Sequence, residues 1–479
     1  MRDFAQSVVA LLDRHEIAYG DVRVVQRRTE HLRMKNGALE AWSDEEQHDF
    51  GVRVLVDGYW GFAASNELSP AEAARTTARA VAVARSSATV GGPRVRLAPQ
   101  PPNSGVFAGP CIEDPFAIAP ETKLELLQRS TEALRSPGVT LAVASLGALR
   151  ETKVFASTEG ALIEQTRTEA GGGIAATAVR DGDVQTRSYP SAGGGDWGQG
   201  GYEMVRGLDL LHHAPRVGEE AVALLNAPLC PDGTTTLVLD ADQMALQVHE
   251  SVGHPTELDR ILGTEASYAG TSFVRVEDVG RLRYGSDHVT VVADATTPGG
   301  LGTFAFDDEG VQGKRVTLVR EGVLVGLLTS RETAVLLDRE SSGAMRASAA
   351  NRVPLIRMTN INLEPGSHSL DRLIGEVANG VFLATNRSWS IDDRRLNFHF
   401  ATEAGWEIKD GRLGRLLRDC SYTGRTPQFW SSCDAVGGPT EWRLFGITNC
   451  GKGEPGQDSH VGHGVSPARF RDVRVGPAR

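Results

Sequence analysis

Hydrophobic residues in the segment 1–90 follow patterns that predict a helix, two β-hairpins and a second helix. The first helix is indicated by apolar residues at helical spacing with charged residues between them: Phe4, Val8, Leu11 and Leu12. Short apolar segments flank Asn36-Gly37 and Asp57-Gly58, and these dipeptides favour tight hairpin turns. Ser69 and Pro70, followed by Glu72, predict the N-terminus of an Ala-rich helix.

The rest of the chain separates into a linker and two further units. Residues 91–110 are rich in Pro and Gly, which is typical of a linker. Residues 111–228 combine helix and strand patterns, whereas residues 229–479 carry many short apolar segments between turn dipeptides. Closely spaced strands of this kind indicate a strongly twisted antiparallel sheet or a partly closed barrel. The predicted fold class is α+β, with hairpin-and-helix N-terminal domains followed by a β-rich C-terminal domain.

Composition limits the functional class. A chain of 479 residues with 40% hydrophobic and 23% charged residues is typical of a soluble globular protein of two or three domains. The net charge of -11 disfavours nucleic-acid binding, and no apolar run is long enough to cross a membrane. The N-terminal segment lacks the apolar core of a signal peptide. Five widely spread cysteines without a C-x-x-C pair indicate reduced thiols, so we expect the cytoplasm.

The segment His249–Pro255, with the sequence HESVGHP, carries the residues most suggestive of chemistry. It places two imidazoles around a carboxylate, but the histidines are one residue further apart than in the common H-E-x-x-H zinc helix. On an α-helix, residues i and i+5 lie roughly 140° apart. We therefore expect Gly253 and Pro255 to end the helix, so that His254 lies past the last turn and folds back toward His249.

A catalytic zinc ion takes three protein ligands and a water, so a third ligand must come from elsewhere in the chain. The C-terminal candidates are Cys450, His460 and His463. A lone Cys in a β-rich protein is more often buried filler, although the glycines after Cys450 favour an exposed turn. The two histidines lie in a Gly-rich segment that is typical of a solvated loop. The residue types alone leave both a metal site and unrelated histidines open.

Four segments give the chain a resemblance to the TldD/PmbA family of metalloproteases over essentially its whole length. They are HESVGH at 249–254, TFAFDDEG at 303–310, NFHFATEAGWEI at 397–408 and NCGKGEPGQ at 449–457. The resemblance implies that His249, His254 and Cys450 bind zinc and that Glu250 is the catalytic base. Because all four residues are present, the chain resembles the catalytic TldD-type member rather than the PmbA/TldE-type partner.

The same resemblance implies a zinc metallopeptidase that hydrolyses short or unfolded peptides, including precursors of modified peptides. It further implies an active site enclosed between subunits, in a homodimer or in a heterodimer with a PmbA/TldE-like paralogue. The sequence does not single out the residue that stabilises the oxyanion, although Asn449, His460 and His463 lie close to Cys450 along the chain. Two alternatives stay open at this point. One is a zinc-stabilised peptide-binding or assembly protein without turnover, and the other is a metal-dependent amidase or esterase that acts on a small molecule.

Overall fold

Two β-structures dominate the fold that the computed structural model describes for residues 1–268 and 270–478. The first is an eight-stranded sheet in the N-terminal half, and the second is a closed five-stranded barrel in the C-terminal half. Helices make up 23% of the chain and strands 43%, which confirms the predicted α+β class. None of the described helices combines the length and the apolar character that a membrane span requires.

The N-terminal half begins with a helix and continues through long hairpins. Its elements are α1 (Arg2–Leu12), β1 (Tyr19–Lys35), β2 (Ala38–Val56), β3 (Tyr59–Ser65), α2 (Pro70–Val90), β4 (Ser104–Ala108), α3 (Pro120–Ala133), β5 (Val139–Ser157), β6 (Leu162–Arg180), β7 (Asp183–Tyr189), β8 (Asp196–Gln199), α4 (Tyr202–Gly207) and α5 (Leu210–Leu224). Both predicted hairpins form. Asn36 and Asp57 adopt φ angles of 50° and 53° where the strands reverse, as two-residue hairpin turns require.

The eight strands form one sheet that runs through both N-terminal units. Its order is β3-β2-β1-β5-β6-β4, with β7 and β8 also paired to β6. The predicted linker at 91–110 is therefore only partly irregular, because β4 lies within it and pairs in parallel with β6. The boundaries at 1–90, 111–228 and 229–479 stay a prediction, although the first two units share this sheet.

The C-terminal half consists of shorter elements around the barrel. They are β9 (Gly233–Leu239), α6 (Ala241–Val248), α7 (Leu258–Ile261), β10 (Val291–Asp294), β11 (Arg315–Arg320), β12 (Val323–Leu324), α8 (Arg331–Ala334), β13 (Met345–Arg346), β14 (Leu355–Ile356), β15 (Ile361–Leu363), α9 (Leu370–Gly375), β16 (Asn379–Ile391), β17 (Asn397–Lys409), β18 (Arg412–Leu417), β19 (Cys420–Arg425), α10 (Thr426–Ser431), β20 (Cys433–Val436), β21 (Arg443–Lys452), β22 (Gln457–Val465) and β23 (Ala468–Pro477).

The barrel closes through the pairs β9–β16, β16–β17, β17–β19, β19–β23 and β23–β9. The pair β9–β16 is parallel and the other four are antiparallel, so the barrel predicted for the C-terminal domain is present and is closed and mixed. Because the barrel is closed, each of these five strands pairs with a neighbouring strand on both of its sides. Aromatic side chains such as Phe400, Tyr422 and Trp430 are buried in its core. The helix α6 follows β9 directly, so it begins at one end of the barrel.

Buried ion pairs join the N-terminal sheet to the segment 303–310. The Arg53 guanidinium lies 2.7 Å from Asp21 and 3.4 Å from Glu309, and Lys153 lies 2.5 Å from Asp308. The side-chain oxygen of Gln165 also accepts hydrogen bonds from two backbone N–H groups of this segment. These contacts fix the C-terminal half against the inner strands of the sheet.

Candidate metal centre

The helix α6 is held in place at its start by two polar side chains. Asp240 is the N-cap, and its carboxylate accepts a hydrogen bond from the Ala241 N–H at 2.9 Å. The Gln243 side-chain amide donates a hydrogen bond to the Tyr422 hydroxyl at 2.9 Å. Gln243 therefore ties the helix to the barrel strand β19.

The helical path does not end between the two histidines. It widens into a single π-turn over His249–Gly253, in which the His254 N–H donates to the His249 carbonyl. A π-turn closes its hydrogen bonds from residue i to residue i+5, so it brings residues of this spacing onto one face. The prediction that Gly253 and Pro255 end the helix is wrong, because His254 keeps helical backbone angles (φ -61°, ψ -42°).

Neighbouring side chains compensate for Pro255 within this turn. Proline has no N–H, so it cannot donate to the Ser251 carbonyl four residues earlier. The fully buried Tyr284 hydroxyl donates to that carbonyl at 2.5 Å. The Ser251 hydroxyl in turn accepts a hydrogen bond from the indole N–H of Trp430 at 2.9 Å. The π-turn is therefore supported by side chains from outside the helix.

The structure brings His249, His254 and Cys450 together. One ligand atom from each lies within 4.8 Å of the other two, and all three residues are buried. The two imidazole rings are 4.9 Å apart and nearly perpendicular, and Cys450 Sγ lies 3.7 Å from His254 Nε2. Cys450 lies on β21, so the expected exposed turn at this position is wrong. Among the described residues, this is the one group of three or more such side chains that could hold a metal ion.

The protonation of these side chains suits a metal. Burial lowers the pKa of His249 to about 4, and burial also lowers the pKa of His254 although Cys450 and Glu257 oppose it. Burial alone would raise the pKa of the Cys450 thiol, but the Arg357 guanidinium and His254 outweigh it and lower this pKa. Metal ligands must be neutral imidazoles and thiolates. A donor set of two nitrogens and one sulfur fits a borderline metal such as zinc better than magnesium or calcium, which prefer oxygen.

A buried carboxylate orients His254. Its Nδ1 lies 3.0 Å from Glu257 Oε2, which leaves Nε2 facing Cys450. Burial would raise the pKa of Glu257, but Lys452 at 3.3 Å and His254 hold it well below its usual range. A carboxylate behind a ligand histidine fixes the ring and its tautomer. Sequence reasoning missed Glu257, although its position three residues after His254 was the available signal.

A third histidine orients His249. His463 Nε2 lies 2.8 Å from His249 Nδ1, and His463 Nδ1 lies 3.3 Å from the Ile361 carbonyl. A carbonyl can only accept, so this contact assigns the His463 proton to Nδ1 and makes Nε2 the acceptor for His249. Burial lowers the pKa of His463 well below its usual value, so the ring is neutral. His463 thus contacts a candidate ligand from behind, a role that sequence reasoning did not consider.

The other sequence candidates lie at different distances from the cluster. Glu250 follows His249 and is buried, and its Oε2 accepts a hydrogen bond from Arg395 Nη1 at 2.7 Å. His460 lies elsewhere, because its Nδ1 contacts Glu169 of the N-terminal sheet at 2.5 Å. On β22, residues 459, 461 and 463 share the face toward Cys450, whereas His460 points to the opposite face.

A cavity separate from the metal cluster lies in the described part of the chain. It has a volume of about 850 Å³ and lies between the N-terminal sheet and the C-terminal half. None of His249, Glu250, His254 and Cys450 lines it. Ser459 does line it, and Ser459 pairs with Cys450 across the β21–β22 hairpin. The cavity and the cluster are therefore neighbours that share this hairpin.

Two neutral imidazoles and a thiol around one point, next to a carboxylate, define a candidate metal centre of the kind that metal-dependent hydrolases use. Comparisons with known proteins extend this result. The PmbA/TldA metallopeptidase domain 1 matches residues 20–84, the central domain matches residues 113–229, and the C-terminal domain matches residues 232–476. The chain belongs to the PmbA/TldD family of metallopeptidases.

Individual relatives agree over nearly the full length. A metalloprotease of Methanothermobacter thermautotrophicus is 32% identical over 460 residues, which is 96% of each chain. A metalloprotease TldD homolog of Haemophilus influenzae is 24% identical and covers 98% of this chain and 95% of its own. The crystal structure of TldE from Thermococcus kodakarensis superposes with a TM-score of 0.74 at 15% identity, over 99% of each chain, which establishes a shared fold.

The π-turn yields a first prediction, at Gly253. A Cβ added there would lie 2.1 Å from the Met358 sulfur, so Gly253→Ala should lower the free energy of unfolding by about 1–3 kcal/mol despite alanine's better helix propensity. Gly207→Ala is the control, because a Cβ at this helical glycine meets nothing within 4 Å. Urea denaturation measures both. A Gly253→Ala variant as stable as Gly207→Ala would contradict the close packing.

The contact behind His249 yields a second prediction. His463→Leu removes the acceptor for His249 Nδ1, so affinity for a divalent metal should fall roughly 10–100-fold. His463→Gln should recover part of the loss, because its amide oxygen can accept the same hydrogen bond. Titration with Co²⁺, followed by absorption, measures the affinity. His48→Leu on the exposed part of β2 is the control, and equal affinities of His463→Leu and the parent would exclude this positioning role.

Proposed function

We propose that the protein is a zinc-dependent metallopeptidase that hydrolyses peptide bonds in short or unfolded peptides. His249, His254 and Cys450 hold the zinc ion, and Glu250 is the catalytic base. The observation that carries the proposal is the convergence of three buried ligand atoms within 4.8 Å, with a carboxylate on the residue after the first ligand. The metalloprotease names of the relatives support the same conclusion.

Different residues of this chain have different roles in the proposed reaction. Zinc, when bound by two imidazoles and a thiolate, supplies a Lewis acid that polarises a carbonyl and acidifies water. Glu250 accepts the proton of the attacking water and passes it to the leaving amine. The Arg395 contact at 2.7 Å holds the Glu250 carboxylate in place. Glu257 and His463 keep the two ligand imidazoles in the required tautomers and orientations.

The burial of the site supports the proposal that the substrate is a flexible peptide. The three ligands and Glu250 are each at most 5% exposed, so a rigid folded protein could not bring a peptide bond to them. The proposal therefore includes peptide degradation and the maturation of modified-peptide precursors. It also includes a homodimer, or a heterodimer with a PmbA/TldE-like paralogue, in the cytoplasm without nucleic acid or membrane. The five free thiols and the net charge of -11 support this setting.

Substitutions at the cluster test the zinc site and the catalytic base separately. His249→Ala and Cys450→Ala should both lose zinc, because each removes one of three ligands. Glu250→Gln should retain zinc and reduce the cleavage of an unstructured fluorogenic peptide by about 10²–10⁴-fold. Cys433→Ala, at another buried cysteine, should keep both zinc and activity. Metal content is measured by elemental analysis, and cleavage is measured with and without a chelator.

Three outcomes would contradict the proposal. Full turnover by Glu250→Gln would remove this residue from the role of base. Zinc retained by Cys450→Ala would remove Cys450 from the ligand set. A zinc-loaded parent protein that cleaves no peptide, with or without added metal, would favour the zinc-stabilised binding or assembly protein instead.

Native mass spectrometry tests the proposed assembly. The tagged chain, purified from its own host, should carry a second subunit that is either another copy or a PmbA/TldE-like paralogue. Zinc should be found with the chain that has the His, His and Cys set. The same measurement on the chain expressed alone shows whether it pairs with itself. A monomer from both sources would contradict the proposed dimer.

A further inference from the structure

The cavity of about 850 Å³ has the size of sites that bind small organic ligands. One wall is the inner part of the N-terminal sheet, formed by β1, β5 and β6. The opposite wall consists of the segments 303–308 and 346–352, and β22 closes one side. The edge of the sheet, β4, borders it as well.

The cations of this cavity differ in their partners. Lys153 lies 2.5 Å from Asp308, Arg167 lies 3.0 Å from Glu169, and Arg27 pairs with Glu151. Two further arginines line the cavity, Arg346 and Arg352, and no carboxylate of residues 1–268 and 270–478 lies within 4 Å of either guanidinium. Arg346 is the buried one of the two. Arg346 Nη1 donates a hydrogen bond to the Met358 carbonyl at 3.0 Å. Arg346 is 8% exposed.

The lack of a carboxylate at Arg346 is unfavourable in a buried position. Burial lowers the pKa of Arg346 to about 10, and repulsion from Arg167 and Arg357 adds to this effect, although the more distant carboxylates of Glu169 and Asp308 oppose it. The Phe304 ring, 5.7 Å from the guanidinium, compensates only in part. Burying a charge without a close partner of opposite charge is unfavourable, because the charge loses its hydration. An anion in the cavity would supply the missing partner, and the planar guanidinium suits a carboxylate that it can contact with two N–H groups.

The cavity also offers features that suit an extended, partly apolar ligand. Phe107 and Phe306 lie 5.2 Å apart and both line it. Phe107 belongs to β4, which pairs with β6 on one side and has no strand partner on the other in the described part of the chain. The outer backbone groups of an edge strand can pair with an added peptide strand. A carboxylate site beside an open strand edge is what the end of a peptide requires.

We propose that this cavity binds the C-terminal segment of a peptide, with its terminal carboxylate against Arg346 and its backbone along β4. The inference rests on the proposed peptidase function, because it takes the ligand to be a peptide. The terminal side chain packs against Phe107 and Phe306. The site recognises a free chain end rather than a sequence, so peptides with an amidated C-terminus bind less tightly.

The proposed carboxylate site and the metal centre have structural elements in common. Met358, whose carbonyl accepts the Arg346 hydrogen bond, packs its sulfur against Gly253 of the π-turn. Ser459, which lines the cavity, pairs with Cys450 across the hairpin. A peptide held by its end in the cavity is therefore bound next to the metal centre, in a site of its own.

A binding experiment with two peptides tests this inference. The full-length Glu250→Gln variant, loaded with zinc, is titrated into an N-terminally labelled hexapeptide without charged side chains, and fluorescence anisotropy is recorded. The free-acid peptide should bind about tenfold more tightly than its C-terminal amide. Arg346→Met in the same background should abolish this difference, and Arg346→Lys should keep part of it. Arg320→Met, at an exposed arginine of β11, is the matched control.

The outcomes separate the carboxylate site from the peptidase activity. Equal affinities for acid and amide in the Glu250→Gln protein would overturn the inference. A preference for the acid that survives Arg346→Met would overturn the role of Arg346. Inorganic phosphate that displaces acid and amide peptides equally would show a general anion site and would also overturn it. Hydrolysis is not measured here, so either result leaves the metallopeptidase proposal to its own test. Thermal melting confirms folding, and Arg346→Met should melt no lower than the Glu250→Gln protein.

Discussion

The hydrogen bond from the His254 N–H to the His249 carbonyl is the constraint on which the candidate centre depends. It makes one turn of the helix a π-turn, and this geometry brings two histidines five residues apart onto one face. An α-helical turn would direct the rings roughly 140° apart, and a broken helix would leave His254 on a loop. The π-turn keeps both rings on a rigid element. Its sequence, with Gly253 against Met358 and Pro255 without an N–H, is matched to that geometry.

An isolated helix does not favour a π-turn, so this turn depends on contacts from the surrounding fold. Tyr284 and Trp430 satisfy the backbone and side chain of Ser251, and Trp430 belongs to the barrel core. The carboxylate of Glu257 is fully buried, and Lys452 next to it comes from the same strand as Cys450. Barrel closure, the π-turn and the third ligand therefore depend on one another. A substitution that disturbs any one of them should change the distances between the ligand atoms.

Sequence reasoning succeeded where the signal is local. The turns at Asn36-Gly37 and Asp57-Gly58 depend on two residues each, and the ligand candidates His249, His254 and Cys450 were nominated by residue type and resemblance. It failed where the determinants are distant. The π-turn needs partners such as Tyr284, some thirty residues away. The position of His463 behind His249 depends on the pairing of β21 with β22, and the single N-terminal sheet depends on pairing between β1 and β5.

The metal cluster and the cavity show two different ways of treating buried charge. Around the cluster, the Glu257 carboxylate meets a lysine, an arginine and a histidine, so the protein itself balances the charge. Beside it, Arg346 contacts a carbonyl and an aromatic ring, and no carboxylate in the described part of the chain lies within 4 Å of its guanidinium. Stability alone would favour an apolar residue at such a position, since replacing an uncompensated buried charge removes a desolvation cost. The carboxylate of the peptide that we propose for the cavity would complete an ion pair with this arginine.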